Sequence, residues 1–139
     1  MRTMLLSETA ESIKNMEIRG AGRIARAAVE ALADYARSLD VSDPAVFRQE
    51  MKKAAGILIE TRPTAVSLPN AVRSVIRALD EFESVEAAKK AVLSRATEFI
   101  QRSEHAVERI AEIGARHISD GDILLTHCNS EAALGCILE

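Results

Sequence analysis

Three short stretches of this sequence hold side chains that can do chemistry. The first is "GDILLTHCNS", residues 121–130, where apolar and β-branched positions 123–126 run into His127, Cys128, Asn129 and Ser130. A thiol just past the end of a strand, where a helix begins, lies on the edge at which α/β sheets bind ligands. The helix N-terminus lowers the pKa of such a thiol and makes thiolate available near neutrality. Asn129 and Ser130 can donate to an oxyanion or cap the helix. A small buried thiol at a strand end fits the same pattern.

The second stretch is "IRGAGRIAR", residues 18–26. Two glycines at a helix start let the backbone approach a ligand, and the free N–H groups favour an anion there. Arg19 and Arg23 add fixed positive charge. The same letters also describe a tight turn between helices with solvated arginines. The third is "TRPTAVSLPNAVR", residues 61–73. Arg62 sits on a proline-stiffened loop with the hydroxyls of Thr64 and Ser67 nearby, an arrangement suited to bidentate grip on phosphate. Its ordinary reading is a proline-shaped connection in which Thr64 or Ser67 caps a helix. No metal site is expected, because His127, Cys128 and Cys136 lack zinc-ligand spacing. His105 and His117 read as surface or interface residues, and Cys136 as core packing.

The elements that must position these residues are almost all helical. A short helix over 7–16 has Ser7 as its cap. A second, over 22–39, turns Ile24, Ala28, Ala31, Leu32 and Tyr35 to one side and Arg26, Glu30 and Arg37 to the other. Asp43 and Pro44 open a third, which Pro63 ends near Thr61. Its apolar face is Val46, Phe47, Met51, Ala54, Ala55, Leu58 and Ile59. A fourth spans about 69–82 with Val72, Val75, Ile76 and Leu79 inward. From Ser84 to about His117 the pattern Val85, Ala88, Val92, Ala96, Phe99, Ala106, Ile110, Ile113 predicts one helix of roughly 30 residues, about 45 Å long. Such a helix serves as the spine of a bundle or of an oligomer interface.

"SDGD" at 119–122 is a turn, after which the period changes to that of a strand, and "EAALGCILE" starts another helix. The predicted class is mainly α. A helical N-terminal domain, 1–118, is followed at 119–139 by the first strand and part of a helix of a truncated Rossmann-like α/β domain. A single strand cannot satisfy its own backbone, so the chain is expected to stop just after a second domain begins.

Composition agrees with a globular protein: 139 residues, 47% hydrophobic and 28% charged. Aromatics are 3% and Trp is absent, so the core must be aliphatic. A net charge of −3 without a basic block argues against nucleic acid as partner. No apolar run approaches the length of a membrane span, and the N-terminus lacks the apolar stretch of a signal peptide. Two cysteines in such a chain read as free thiols of a cytoplasmic protein.

In this order, "IRGAGRIAR", "TRPTAVSLPNAVR" and "GDILLTHCNS" resemble the archaeal ribose-1,5-bisphosphate isomerases. These belong with the regulatory subunits of initiation factor two-B and with methylthioribose-1-phosphate isomerase. The resemblance covers essentially the whole chain. It implies a helical domain joined to a Rossmann-like one, with the site between them, oligomeric assembly and no cofactor. It makes Cys128 the catalytic thiol and gives Arg19, Gly20, Ala21, Arg23 and Arg62 to substrate phosphate; Asn129 and Ser130, beside the thiol, complete the expected substrate- and phosphate-binding set. The partner aspartate of the family lies beyond Glu139, so the chain alone is expected to be inactive. The implied partners are a sugar bisphosphate substrate and further copies of the chain, and a nucleotide effector is left open. A non-catalytic regulatory subunit that binds nucleotide or sugar phosphate is the alternative. A standalone helical assembly module is a third reading.

Overall fold

Helix boundaries follow local chemistry wherever a cap is present. In the computed structural model, which describes residues 5–77, 79–128 and 130–139, six α-helices occur. They are α1 (Leu6–Lys14), α2 (Ala21–Ser38), α3 (Pro44–Thr61), α4 (Ser67–Ile76), α5 (Val85–Ala115) and α6 (Glu131–Leu138). Asp43 caps α3 by accepting from the Ala45 N–H at 2.7 Å, with Pro44 in the first turn. Ser84 caps α5 through the Ala87 N–H at 3.2 Å, and Ser130 caps α6 through the Ala133 N–H at 3.2 Å. Each cap satisfies one of the donors a helix start leaves free.

Two helices differ in their bounds from the sequence expectation. Ser7 lies inside α1 and does not cap it. The start is closed by the Glu8 carboxylate, which accepts from the Leu5 N–H at 3.1 Å. The fourth helix starts at Ser67 and ends at Ile76, and Leu79–Glu81 form a separate 3₁₀ turn. Pro69 is tolerated because it falls in the first turn, where its missing N–H has no helical partner. The break beyond Ile76 is held from outside. Arg48 of α3 donates to the Phe82 carbonyl at 3.2 Å, and Lys52 donates to Asp80 at 3.0 Å.

The core lies among α1 to α4 and the N-terminal half of α5. Ile13, Ile24, Leu32, Phe47, Met51, Leu58, Leu68, Val72, Val75, Leu79 and Val92 are all buried, with small Ala28, Ala36, Ala55 and Ala88 between them. The sparse aromatics decide its character: aliphatic side chains and alanines let helices approach closely. Tyr35 is half-buried and donates to Glu50 at 3.0 Å. Burial of the phenol, then its hydrogen bond to and charge repulsion from Glu50, raises its pKa. Val46, expected inside, is exposed.

The long helix is 31 residues, about 46 Å. Only its first half faces the core. Ala106 is exposed, and Ile110 and Ile113 are each 48% exposed, so the periodic pattern continues past the bundle. Against this far end lies α6. The two helices meet through small residues: a Cβ on Gly135 would stand 2.9 Å from the Ala111 Cβ, and one on Gly114 would overlap the Cys136 sulfur. Cys136, expected in the core, is instead half-buried in this contact outside the core, with its thiol donating to the Ile110 carbonyl at 3.4 Å. Gly114→Ala is expected to push α6 off α5 and to cost about 1–3 kcal/mol, as overpacking does. Faster alkylation of Cys136 would report it.

Residues 123–126 form no strand among the described residues. Ile123 and Leu125 are fully exposed. A strand exists only as part of a ladder, and no second strand is present among the described residues to pair with it. The mainly helical class is otherwise as expected, with α6 in the place foreseen for a new helix.

Candidate active site

The N-terminal turn of α2 is the centre of the candidate site. Gly20 caps this helix with φ 90° and ψ 134°, a conformation that glycine adopts without strain. Its carbonyl accepts the first helical bond, from the Ile24 N–H at 2.9 Å. The N–H groups that follow it are free of helical partners, and Arg19 stands exposed just before them.

The second stretch reaches this turn through Ser67. Its hydroxyl donates to the Ala21 carbonyl at 3.1 Å, so it fastens the start of α4 to the start of α2 and does not cap its own helix. Arg62 ends α3 with φ −147° and is half-buried, on the loop that leads to Ser67. Thr64 is exposed and makes no cap. The glycine turn and the proline loop are therefore neighbours.

The third stretch arrives through α6. Glu131 accepts from Arg23 Nε at 2.7 Å and from Arg26 Nη2 at 2.8 and 2.9 Å. Arg26 also donates to Ser103 of α5 at 3.1 Å. Arg26 was read as part of the solvated face of α2, yet its side chain is only 17% exposed and that of Glu131 22%. Nothing in the local pattern announces a pair 105 residues apart. The one available signal was Gly22, a glycine with no turn to make. A Cβ there would lie 3.0 Å from Glu131 Oε2 and 3.1 Å from Arg26 Nη1.

Burial pushes the Glu131 carboxyl up, and the hydrogen bonds and charges of Arg26 and Arg23 outweigh it, leaving its pKa below the ordinary 4.5. A carboxyl whose folded pKa is depressed stabilises the fold above its unfolded value and loses that contribution as pH falls through the folded one. An acid titration followed by NMR is expected to perturb Arg23, Arg26 and the segment just before α6 below pH 4.5, before the bundle core melts and while α6 stays packed on α5.

Cys128 lies three residues before Glu131. It is exposed, its backbone has φ 62°, and its sulfur is 2.8 Å from His127 Nδ1. A non-glycine residue in this left-handed region is uncommon and marks strain of the kind that collects at functional sites. Ser130 is committed to capping α6. Asn129 lies outside the described residues. Cys136 is a second free thiol, held in the α5–α6 contact. His105 is exposed beside Glu108 at 3.6 Å, and His117 is exposed at the end of α5. Among the described residues no group of His, Cys, Asp and Glu is placed to hold a metal ion. No described helix is long and apolar enough to cross a membrane.

A helical bundle with a glycine–arginine turn, a proline–arginine loop and a thiol segment gathered at one end defines a class. Residues 17–139 match the Initiation factor 2 subunit family, and the chain belongs to it. Within that family it is similar to the ribose 1,5-bisphosphate isomerases of Methanocaldococcus jannaschii and Thermococcus kodakarensis. The first is 52% identical over 96% of this chain and the second 51% over 91%. The chain spans only 42% and 41% of their lengths. Among solved structures it is similar to translation initiation factor eIF-2B subunit delta of A. fulgidus. That match has 32% identity and a TM-score of 0.76 over 93% of this chain and 38% of the other. It also superposes on the 5-methylthioribose 1-phosphate isomerase of Pyrococcus horikoshii OT3. There the identity is 32% and the TM-score 0.78, over 84% of this chain and 33% of the other.

Proposed function

We propose that this chain is the N-terminal part of an aldose–ketose isomerase that converts ribose 1,5-bisphosphate to ribulose 1,5-bisphosphate. It would comprise a helical domain, 1–118, and the beginning of a Rossmann-like domain, 119–139. The observation that carries the reading is identity of about one half, sustained across more than nine-tenths of the chain, with relatives of that name. The gathering of the three motifs around the start of α2 supports it.

In this reading the free N–H groups after Gly20, with Arg19 and Arg23, hold one phosphate. Arg62 holds phosphate from the neighbouring loop. Guanidinium forks and helix starts are both well suited to binding phosphate. A carboxylic acid supplied by residues beyond this chain protonates the ring oxygen and opens the ring. The Cys128 thiolate removes the C2 proton, giving an enol phosphate. Return of that proton to C1 and loss of the C2 hydroxyl proton to the carboxylate complete the ketone and restore both groups. No cofactor is required, because no electrons leave the substrate. The chain would act in the cytoplasm as one copy of a homo-oligomer.

A second reading, a regulatory subunit that binds a sugar phosphate or nucleotide without turning it over, is favoured by the 32% identity to the initiation factor subunit. One assay separates them. A chain of the relatives' length that carries this sequence is incubated with ribose 1,5-bisphosphate, and ribulose 1,5-bisphosphate is followed. Formation of the ketose supports the isomerase. Binding without conversion, in a chain whose thiol is intact, rejects it in favour of the regulatory subunit.

A further inference from the structure

We propose that Glu131 is a positioning residue, which with Arg26 and Arg23 fixes the thiol-bearing segment against the phosphate-binding turn of α2. The consequence for turnover rests on the isomerase reading, and the tie itself does not.

Three independent features point to it. The first is the number and kind of bonds. One carboxylate takes three charge-assisted hydrogen bonds of 2.7 to 2.9 Å from two guanidinium groups, and charge-assisted bonds of this kind are the strong ones. The second is that Arg26 reaches three helices at once. It grows from α2, pairs with Glu131 at the start of α6, and donates to Ser103 on α5. The third is the glycine beneath the pair. Gly22 would need to give way to any larger side chain, since its Cβ would crowd both partners. The turn "RGAG" thus uses its glycines for different ends: Gly20 for backbone conformation and Gly22 for room.

The tie matters because of where it sits. Glu131 is three residues from Cys128, and Arg23 and Arg26 lie within two turns of Arg19 and Gly20. Three residues of chain span roughly 10 Å at most, so fixing the carboxylate confines the thiol to a small region beside α2. Within that region the left-handed backbone of Cys128 narrows its choices further. A general base must hold its sulfur within hydrogen-bond reach of the proton it removes. The phosphate anchors flank α2 and α3, the base lies on the segment just before α6, and Glu131 ties that segment to α2. It also commits Arg23 Nε, so Arg23 serves the site partly through this bond.

The test uses Glu131→Gln, which keeps shape and removes charge. On the chain itself, alkylation of Cys128 and of Cys136 by iodoacetamide is measured against pH by peptide mass spectrometry. A changed Cys128 profile with Cys136 still protected is the expected result. An unchanged Cys128 profile overturns the proposal. Simultaneous exposure of Cys136 also overturns it, because α6 has then simply come away. In a chain of the relatives' length, kcat is expected to fall on the order of tenfold to a hundredfold, the effect of misplacing a reacting group, with a much smaller rise in KM from the loosened Arg23. A fall in kcat matched by a rise in KM would mean lost substrate binding and reject the positioning role. If the unaltered chain turns nothing over, the isomerase reading has failed, and the alkylation profile still decides on the tie.

Discussion

Replacing Cys128 by alanine, in a chain of the relatives' length, is expected to lower the formation of ribulose 1,5-bisphosphate by about 10²–10⁴-fold, the usual worth of a positioned base. The loss should fall on kcat. Substrate affinity should survive, because the groups assigned to phosphate are Arg19, Arg23, the N–H groups after Gly20, and Arg62, none of which touches the thiol among the described contacts. Calorimetric titration with ribose 1,5-bisphosphate checks this directly. Cys128→Ser should be nearly as damaging, since a hydroxyl of the same shape is far less acidic and gives almost no anion near neutrality. Turnover that persists in both variants would remove Cys128 from the role of base. Cys136→Ala is a useful companion, for its sulfur is engaged with the Ile110 carbonyl and has no part in the proposed chemistry.

The largest effect on stability is expected at Phe47. Its side chain is fully buried between α3 and the other helices of the bundle, and only three Phe residues are available to the whole chain. Removing it leaves a hole that alanine-rich helices cannot collapse to fill. Phe47→Ala should therefore cost about 3–5 kcal/mol. For a domain of this size that is a fall of roughly 10–20 °C in Tm. Neighbouring Val46 is 41% exposed, and Val46→Ala should change stability by about 0.5 kcal/mol or less. Thermal unfolding followed by circular dichroism distinguishes the two. Equal melting points would mean that the core does not depend on α3 in the way its burial indicates.

The fold was legible in the sequence where its causes are local. Asp43–Pro44 and Ser84 act on donors two or three residues away, so α3 and α5 begin where their letters say. The buried faces of α2, α3 and α4 follow the spacing of their apolar residues because one bundle covers them all. Illegible features depend on partners far along the chain. The end of α4 is decided by Arg48 and Lys52 of α3. The inward turn of Arg26 is decided by Glu131. The apolar stripe of α5 runs beyond the bundle, and periodicity records only that a face is apolar, not which neighbour covers it. The three site motifs were visible as residue types. Their gathering at the start of α2 was not, since it rests on a Ser67 bond across 46 residues and an Arg26 pair across 105.

Residues 123–126 carry a consequence of another sort. They read Ile-Leu-Leu-Thr, uncharged and rich in strand-forming side chains, and two of the four are completely open to water. A segment of this composition is a template for the backbone of another molecule. In a concentrated solution of the chain alone, copies are expected to associate through this run and precipitate. A lysine in place of Leu125 would act as a gatekeeper against such growth while leaving the helical bundle untouched.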